Sequence, residues 1–152
     1  MEFVEWFELI ALLEGNCMFY EVIKPRVGET DALGFINNTV IPQWFECARN
    51  PLFKLMSPES NLDLREWNLT LAKMTVDFHM PLQFGYDVEI KTFISRVGTS
   101  SMDVYQEAWQ QNEKHATGTA VMVHLDFKSR KSIPIPDSFK QKMHIHFSSP
   151  SL

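Results

Sequence analysis

The side chains able to do chemistry stand in one run, Thr30-Asp31-Ala32-Leu33-Gly34-Phe35-Ile36-Asn37-Asn38, followed by Thr39-Val40-Ile41-Pro42-Gln43-Trp44-Phe45-Glu46-Cys47-Ala48-Arg49. One acid in a glycine-containing turn, two amides and then a mostly apolar helix can aim a carboxylate and the free backbone N–H groups of a helix start at one small volume. Such a volume suits attack on a carbonyl. With no serine, cysteine or metal site beside it, Asp31 would act as a general base on water or as a nucleophile. The N–H groups around Ile36 to Thr39, at the positive end of the helix, would stabilise the oxyanion. Gly34 lets the backbone come close, and Asn37 and Asn38 suit helix caps as well as catalytic amides.

Positioning these residues falls to a helix that starts near Asn38 or Thr39 and accepts Pro42 in its first turn, where a missing N–H is harmless. Ile41, Phe45, Ala48 and Leu52 share one face, with Val40, Trp44 and Cys47 beside them, so other structure must wrap this helix and Cys47 reads as core. Asn50-Pro51 must bend or end it. Before the run, Met18 to Val27 reads as a strand; after it, Ser57 to Glu66 reads as a loop. Period-two alternation then marks Leu69 or Leu71 through Met80, Val88 through Ile94, Met102 through Tyr105, and Thr117 through Phe127. The turns between them are too short for parallel crossovers, so these strands are antiparallel. Pro134-Ile135-Pro136 closes the sheet, and a short helix from Asp137 to Met143 follows. At the other end, residues 2 to 14 form an amphipathic helix stopped by Gly15, with Phe3, Phe7 and Ile10 on its apolar stripe and Glu2, Glu5, Glu8 and Glu14 punctuating the other side. That stripe needs a cover from the domain, a second subunit or lipid, and the acidic side argues against anionic lipid.

The run from Asp31 to Glu46, joined by a second, Val76-Asp77-Phe78-His79-Met80-Pro81-Leu82-Gln83-Phe84-Gly85-Tyr86-Asp87-Val88-Glu89-Ile90, resembles the signature of hotdog-fold thioesterases of the 4-hydroxybenzoyl-CoA thioesterase and YbgC-like branch. Asp31, Gly34, Asn37, Asn38 and Glu46 fall on that pattern, and Phe35 stands where several relatives carry His. The resemblance implies an α+β hotdog fold, a curved antiparallel sheet of about five strands around one long apolar helix. Its domains would be a helical extension at 1–15, a hotdog domain at 16–143 and a tail at 144–152. It implies an acyl-CoA thioesterase in which Asp31 assists hydrolysis and the Asn38 N–H faces the thioester oxygen, with no cofactor other than coenzyme A as part of the substrate. In some relatives the helix supplies the catalytic carboxylate, a role that would fall here to Glu46, on a solvated edge or held in the cleft by Arg49. One hotdog unit leaves its sheet edge exposed and its site half built, so a homodimer or tetramer is implied.

Acyl contacts would come from Trp44, Phe45 and Met74, judged by their apolar faces. Arg96, Lys128, Arg130 and Lys131 are the densest basic positions and would clamp the phosphates of coenzyme A; the alternative is a solvated edge. The five histidines have no zinc-ligand spacing with cysteines or carboxylates, and no Gly-x-Ser-x-Gly surrounds Ser100-Ser101, so neither a metal nor a serine nucleophile is expected. A length of 152 residues fits one domain, a net charge of −5 disfavours nucleic acid, and no stretch is long and apolar enough to span a bilayer. Two cysteines and an acidic first segment point to a reducing, cytoplasmic setting. The expected partners are an acyl-CoA, or an acyl carrier protein, and further copies of the chain. The rival expectation is a non-catalytic acyl-CoA or lipid-binding hotdog domain.

Overall fold

The computed structural model describes residues 19–56 and 68–144, with side chains as far as Gln141. The expected helix at 2–14, the loop at 57–66 and the tail beyond residue 144 lie outside the described residues. Within them the order is β1 (Phe19–Ile23), a 3-10 turn (Val27–Glu29), α1 (Val40–Ala48), α2 (Asn50–Met56), β2 (Leu69–Phe78), β3 (Val88–Val97), β4 (Ser101–Gln110), β5 (Glu113–His124) and α3 (Asp137–His144).

The strands form one sheet in the order β1-β3-β4-β5-β2, every neighbouring pair antiparallel. Hairpins explain its centre. Gln111 and Asn112, with φ of 52° and 64°, make the two-residue turn whose twist matches the strands it joins, and Glu113 at once resumes pairing with Gln110. The last strand therefore starts four residues before the expected Thr117. β1 is shorter than its sequence pattern, because Pro25 has no N–H for the ladder and the chain turns instead at Val27–Glu29. Register shifts at Leu71/Lys73, Ile94/Arg96 and Ala108/Trp109 add local twist and bend, curving the sheet. This is the hotdog architecture expected from the resemblance.

The helices cover one face. α1 buries Ile41, Trp44, Phe45 and Ala48, the i, i+3, i+4, i+7 spacing of one helical stripe, against Val88, Ile90, Ala108 and Ala116. A second cluster joins Leu52, Phe53 and Met56 of α2 to Ile94, Met102, Val104 and Phe139. Cys47, expected in the core, is exposed: it lies off the buried stripe, as do Gln43 and Glu46. The helix breaks at Arg49 and resumes at Asn50 with Pro51 in the first turn of α2, so the Asn50-Pro51 signal marks a restart. α1 sits close because Gly118 of β5 has no side chain; a Cβ there would lie 2.8 Å from the Phe45 ring and 3.2 Å from the Thr75 carbonyl oxygen.

Beneath the end of α1 runs a buried polar network that hydrophobic patterning could not show. Gln106 Nε2 donates to the Phe45 carbonyl oxygen at 2.9 Å and to Thr92 Oγ1 at 3.0 Å, while its Oε1 accepts from Arg49 Nη1 at 2.9 Å. The Phe45 carbonyl is one of those a helix end leaves without an intrahelical partner, so Gln106 both satisfies it and ties α1 to β4. Burial pulls Arg49 below its ordinary pKa, and the nearby Glu46 charge opposes that shift.

Candidate active site

The loop between the 3-10 turn and α1 is built around Asp31. Its Oδ1 accepts from the backbone N–H of Leu33 at 2.9 Å and of Phe35 at 3.2 Å, and its own N–H donates to the Phe35 carbonyl at 2.7 Å. Gly34 has φ +83°, a conformation that disfavours any side chain, and its N–H donates to the Asp31 carbonyl. The half-buried carboxylate is thus fixed through one oxygen, while Oδ2 has no hydrogen bond among the described residues.

The start of α1 sorts the donors. The Ile36 N–H goes to Leu82 O at 2.9 Å and that of Asn37 to Glu29 O at 2.8 Å. The Thr39 N–H and Oγ1 both go to Asn37 Oδ1, at 3.0 and 2.9 Å. Asn37, rather than Asn38 or Thr39, therefore provides the side-chain cap. Among residues 36 to 39 of the described chain, this leaves the Asn38 N–H alone without a protein acceptor, beside the positive end of the helix dipole.

The loop is held from outside by residues the sequence reading missed. Glu29 accepts from the Arg26 N–H at 2.7 Å, from Arg26 Nη2 at 2.9 Å and from Trp44 Nε1 at 3.2 Å, joining the loop base to the first turns of α1. Burial tends to raise the Glu29 carboxyl, but these hydrogen bonds and the Arg26 charge outweigh it and hold the pKa below the ordinary value. Phe35 bridges Gln83, and the 81–86 segment is itself pinned: Gln110 exchanges bonds of 2.9 and 2.8 Å with the Gln83 backbone, and His115 Nδ1 lies 2.9 Å from Pro81 O. The spacing Arg26-x-x-Glu29 was the only local signal for any of these. Gln110 and His115 act over long sequence separation and had none.

The remaining predicted residues distribute as follows. Glu46 is exposed and forms no ion pair with Arg49 among the described residues. Trp44 is buried in the α1 cluster and anchored by Glu29, with Phe45 buried and Met74 half-buried beside it. Arg96 is doubly bonded to Asp103 at 2.9 Å and also donates to Ser101 Oγ at 3.1 Å. Lys128, Arg130 and Lys131 are exposed on the loop after β5. They share with Arg96 the end of the sheet marked by the Ser100 to His124 hydrogen bond. The Asp31 loop is held at the other end, through His115; from His115 to His124, at about 3.3 Å per residue, is about 30 Å. Within one protomer the structure therefore does not bring the basic cluster to Asp31. No group of three His, Cys, Asp or Glu side chains is placed to hold a metal among the described residues, and no described helix is long and apolar enough to cross a membrane.

Among curated proteins no match is found. Among solved structures, the chain is similar to a predicted thioesterase from Bacillus stearothermophilus, with 38% identity and a TM-score of 0.83 over 88% of this chain and 98% of the other. It is also similar to a Thermus thermophilus thioesterase solved with coenzyme A and zinc, with 27% identity and a TM-score of 0.73 over 82% and 96% of the two chains. A Staphylococcus aureus protein solved with CoA shares the fold at 13% identity, TM-score 0.77, over 88% of each chain. The sequence model of the thioesterase-like superfamily matches residues 25–143, a span that holds the Asp31 loop, α1 and four of the five strands. The chain belongs to the thioesterase-like superfamily.

Proposed function

We propose that the protein is an acyl-CoA thioesterase that hydrolyses its substrate to a free acid and coenzyme A. The observation that carries this reading is the unpaired Asn38 N–H at the start of α1, which follows in the same loop a carboxylate fixed through one oxygen with the other left open. In this scheme the thioester oxygen accepts from the Asn38 N–H. Asp31 Oδ2 takes a proton from water as the water oxygen bonds to the carbonyl carbon, and the C–O π electrons move onto the oxygen. Collapse breaks the C–S bond, and the departing sulfur receives the proton from Asp31. Direct attack by Asp31, followed by hydrolysis of the resulting anhydride, uses the same two groups.

Coenzyme A as carrier is supported by the complex of the Thermus relative. An apolar acyl group is supported by the exposed Leu33 of the proposed catalytic loop, by Phe84 on the 81–86 segment strapped to it, and by Phe78 and Met80 just before that segment. Assembly is part of the proposal. β2 is a ten-residue edge strand whose residues Thr70 to Lys73 are exposed on both faces, so a second copy pairing along it would satisfy its open backbone groups. The basic cluster at Lys128, Arg130 and Lys131 then serves a site in another subunit.

The test is thiol release from a panel of short, long and aromatic acyl-CoA esters. At least one should be turned over with kcat/KM of about 10⁴ M⁻¹ s⁻¹ or more, the low end for a working enzyme. Binding across the panel without hydrolysis would replace this reading with an acyl-CoA-binding domain.

A further inference from the structure

One face of β4 runs Met102, Val104, Gln106, Ala108, Gln110, and all five are buried. A buried amide is unfavourable unless its groups are paired, so each glutamine on this apolar face marks a specific attachment. Gln106 holds the Phe45 carbonyl of α1. Gln110, 2% exposed, holds a stretch of chain with almost no ladder of its own. Residues 79–87 join β2 to β3, turn at Gly85 with φ +99°, and form one isolated bridge, Gln83 to Phe35. Gln110 Oε1 accepts from the Gln83 N–H at 2.9 Å, and its Nε2 donates to Gln83 O at 2.8 Å and to Tyr86 O at 3.1 Å. The side chain thus stands in for the strand partner that Gln83 lacks.

His115 secures the start of the same stretch. Its carbonyl accepts from the N–H groups of His79 and Met80 at 2.8 and 3.1 Å, and its Nδ1 donates to Pro81 O at 2.9 Å. A carbonyl oxygen only accepts, so Nδ1 carries the hydrogen. From there to Asp31 is one further step. Leu82 packs in the same buried cluster as Ile36, and its carbonyl accepts the Ile36 N–H at 2.9 Å. Phe35, bridged to Gln83, donates its N–H to Asp31 Oδ1 at 3.2 Å and accepts the Asp31 N–H on its carbonyl at 2.7 Å. Each link is a backbone group in a hydrogen bond or bridge, so a shift of the 81–86 segment is passed on to the carboxylate.

We propose that Gln110 and His115 are positioning residues for the reaction: by fixing the 81–86 segment they set where Phe35 holds Asp31 Oδ1, and with it where Oδ2 is aimed. This rests on the reading of Asp31 as the reacting acid, and neither residue touches substrate in it.

The test is a double-mutant cycle in the full-length chain, read as kcat with the best ester of the panel. Gln110→Leu keeps the bulk of the side chain and removes all three bonds. Its kcat should fall about ten- to a hundredfold, the scale of a small misplacement caused away from the chemistry. Because that loss runs through Asp31, adding Gln110→Leu to Asp31→Asn should lower the residual kcat by less than about twofold. An equal loss in both backgrounds overturns this proposal alone, since a general loosening of the fold does not depend on Asp31. Parent-like turnover of Asp31→Asn overturns the reading of Asp31 and this proposal with it. Amide exchange reads the positioning without turnover: in Gln110→Leu the Ile36 N–H should exchange severalfold faster, while the Leu52 N–H, bonded to Arg49 O at 2.9 Å, keeps its rate. No acceleration at Ile36, or the same acceleration at both, contradicts the proposal. Should Gln110→Leu fail to fold, His115 carries the test. Asn can place its amide nitrogen where imidazole Nδ1 stands, so His115→Asn should stay close to the parent kcat and His115→Phe should lose about tenfold. Equal kcat in those two variants overturns the proposal.

Discussion

In the proposed reaction Asp31 would meet its substrate already oriented, because the Leu33 and Phe35 N–H groups hold Oδ1 and leave Oδ2 open. Glu46 has no comparable support: it is exposed on α1, so Glu46→Gln should leave kcat within about twofold, as for surface changes away from special features. Loss of turnover in Glu46→Gln would move the chemistry to the helix. Glu29 supplies a pH prediction. Its folded pKa lies below the ordinary carboxylate value, so its contribution to stability is present above about pH 4.3 and is lost as pH falls through the lowered value. Glu29→Gln should lower Tm at neutral pH and flatten the fall of Tm on acidification. A parent-like acid profile in the variant would mean that Glu29 does not hold the loop. Asp31 and Gly34 were legible in the sequence because an acid and a positive-φ glycine are local requirements. The division of labour between Asn37 as cap and Asn38 as open donor was not, since it depends on where Glu29 and Leu82 place their carbonyls.

α1 reaches its place through Gly118 and Gln106, neither of which local pattern would single out. Gly118→Ala puts a methyl within 2.8 Å of the Phe45 ring, so the helix must lift. The variant should lose about 1–3 kcal/mol in denaturant unfolding, the usual cost of overpacking. Its turnover should fall as well, because the N-terminus of the same helix carries the proposed oxyanion donor. Adding Phe45→Leu makes room and should recover part of both losses; full additivity of the two substitutions would show that the contact does not set helix height. Strand existence was legible because period-two alternation survives tertiary context, and the Asn50-Pro51 break was legible because it is steric. The sheet order was not, because pairing of β1 with β3 spans a long stretch of chain with no local signature. Exposure of Cys47 was missed because an apolar-rich helix does not reveal which of its stripes meets the sheet.

At the scale of the molecule, the open edge at β2 and the distance between Asp31 and the basic cluster are what the proposed function answers with a second copy. Sedimentation at micromolar concentration should show a dimer or larger species, and a stable, active monomer would remove the shared-site arrangement. Arg130→Ala with Lys131→Ala should raise KM and weaken its salt dependence at nearly constant kcat, the pattern of lost uniform binding. An unchanged KM would place the phosphates elsewhere. The most direct test of acyl-CoA hydrolysis by Asp31 is the turnover of Asp31→Asn with the best ester of the panel, since Asn preserves the acceptor that holds the loop but cannot take a proton at the second position. kcat should fall by about 10²–10⁴, the range for a positioned base, with KM and Tm little changed. Parent-like turnover in Asp31→Asn would contradict it.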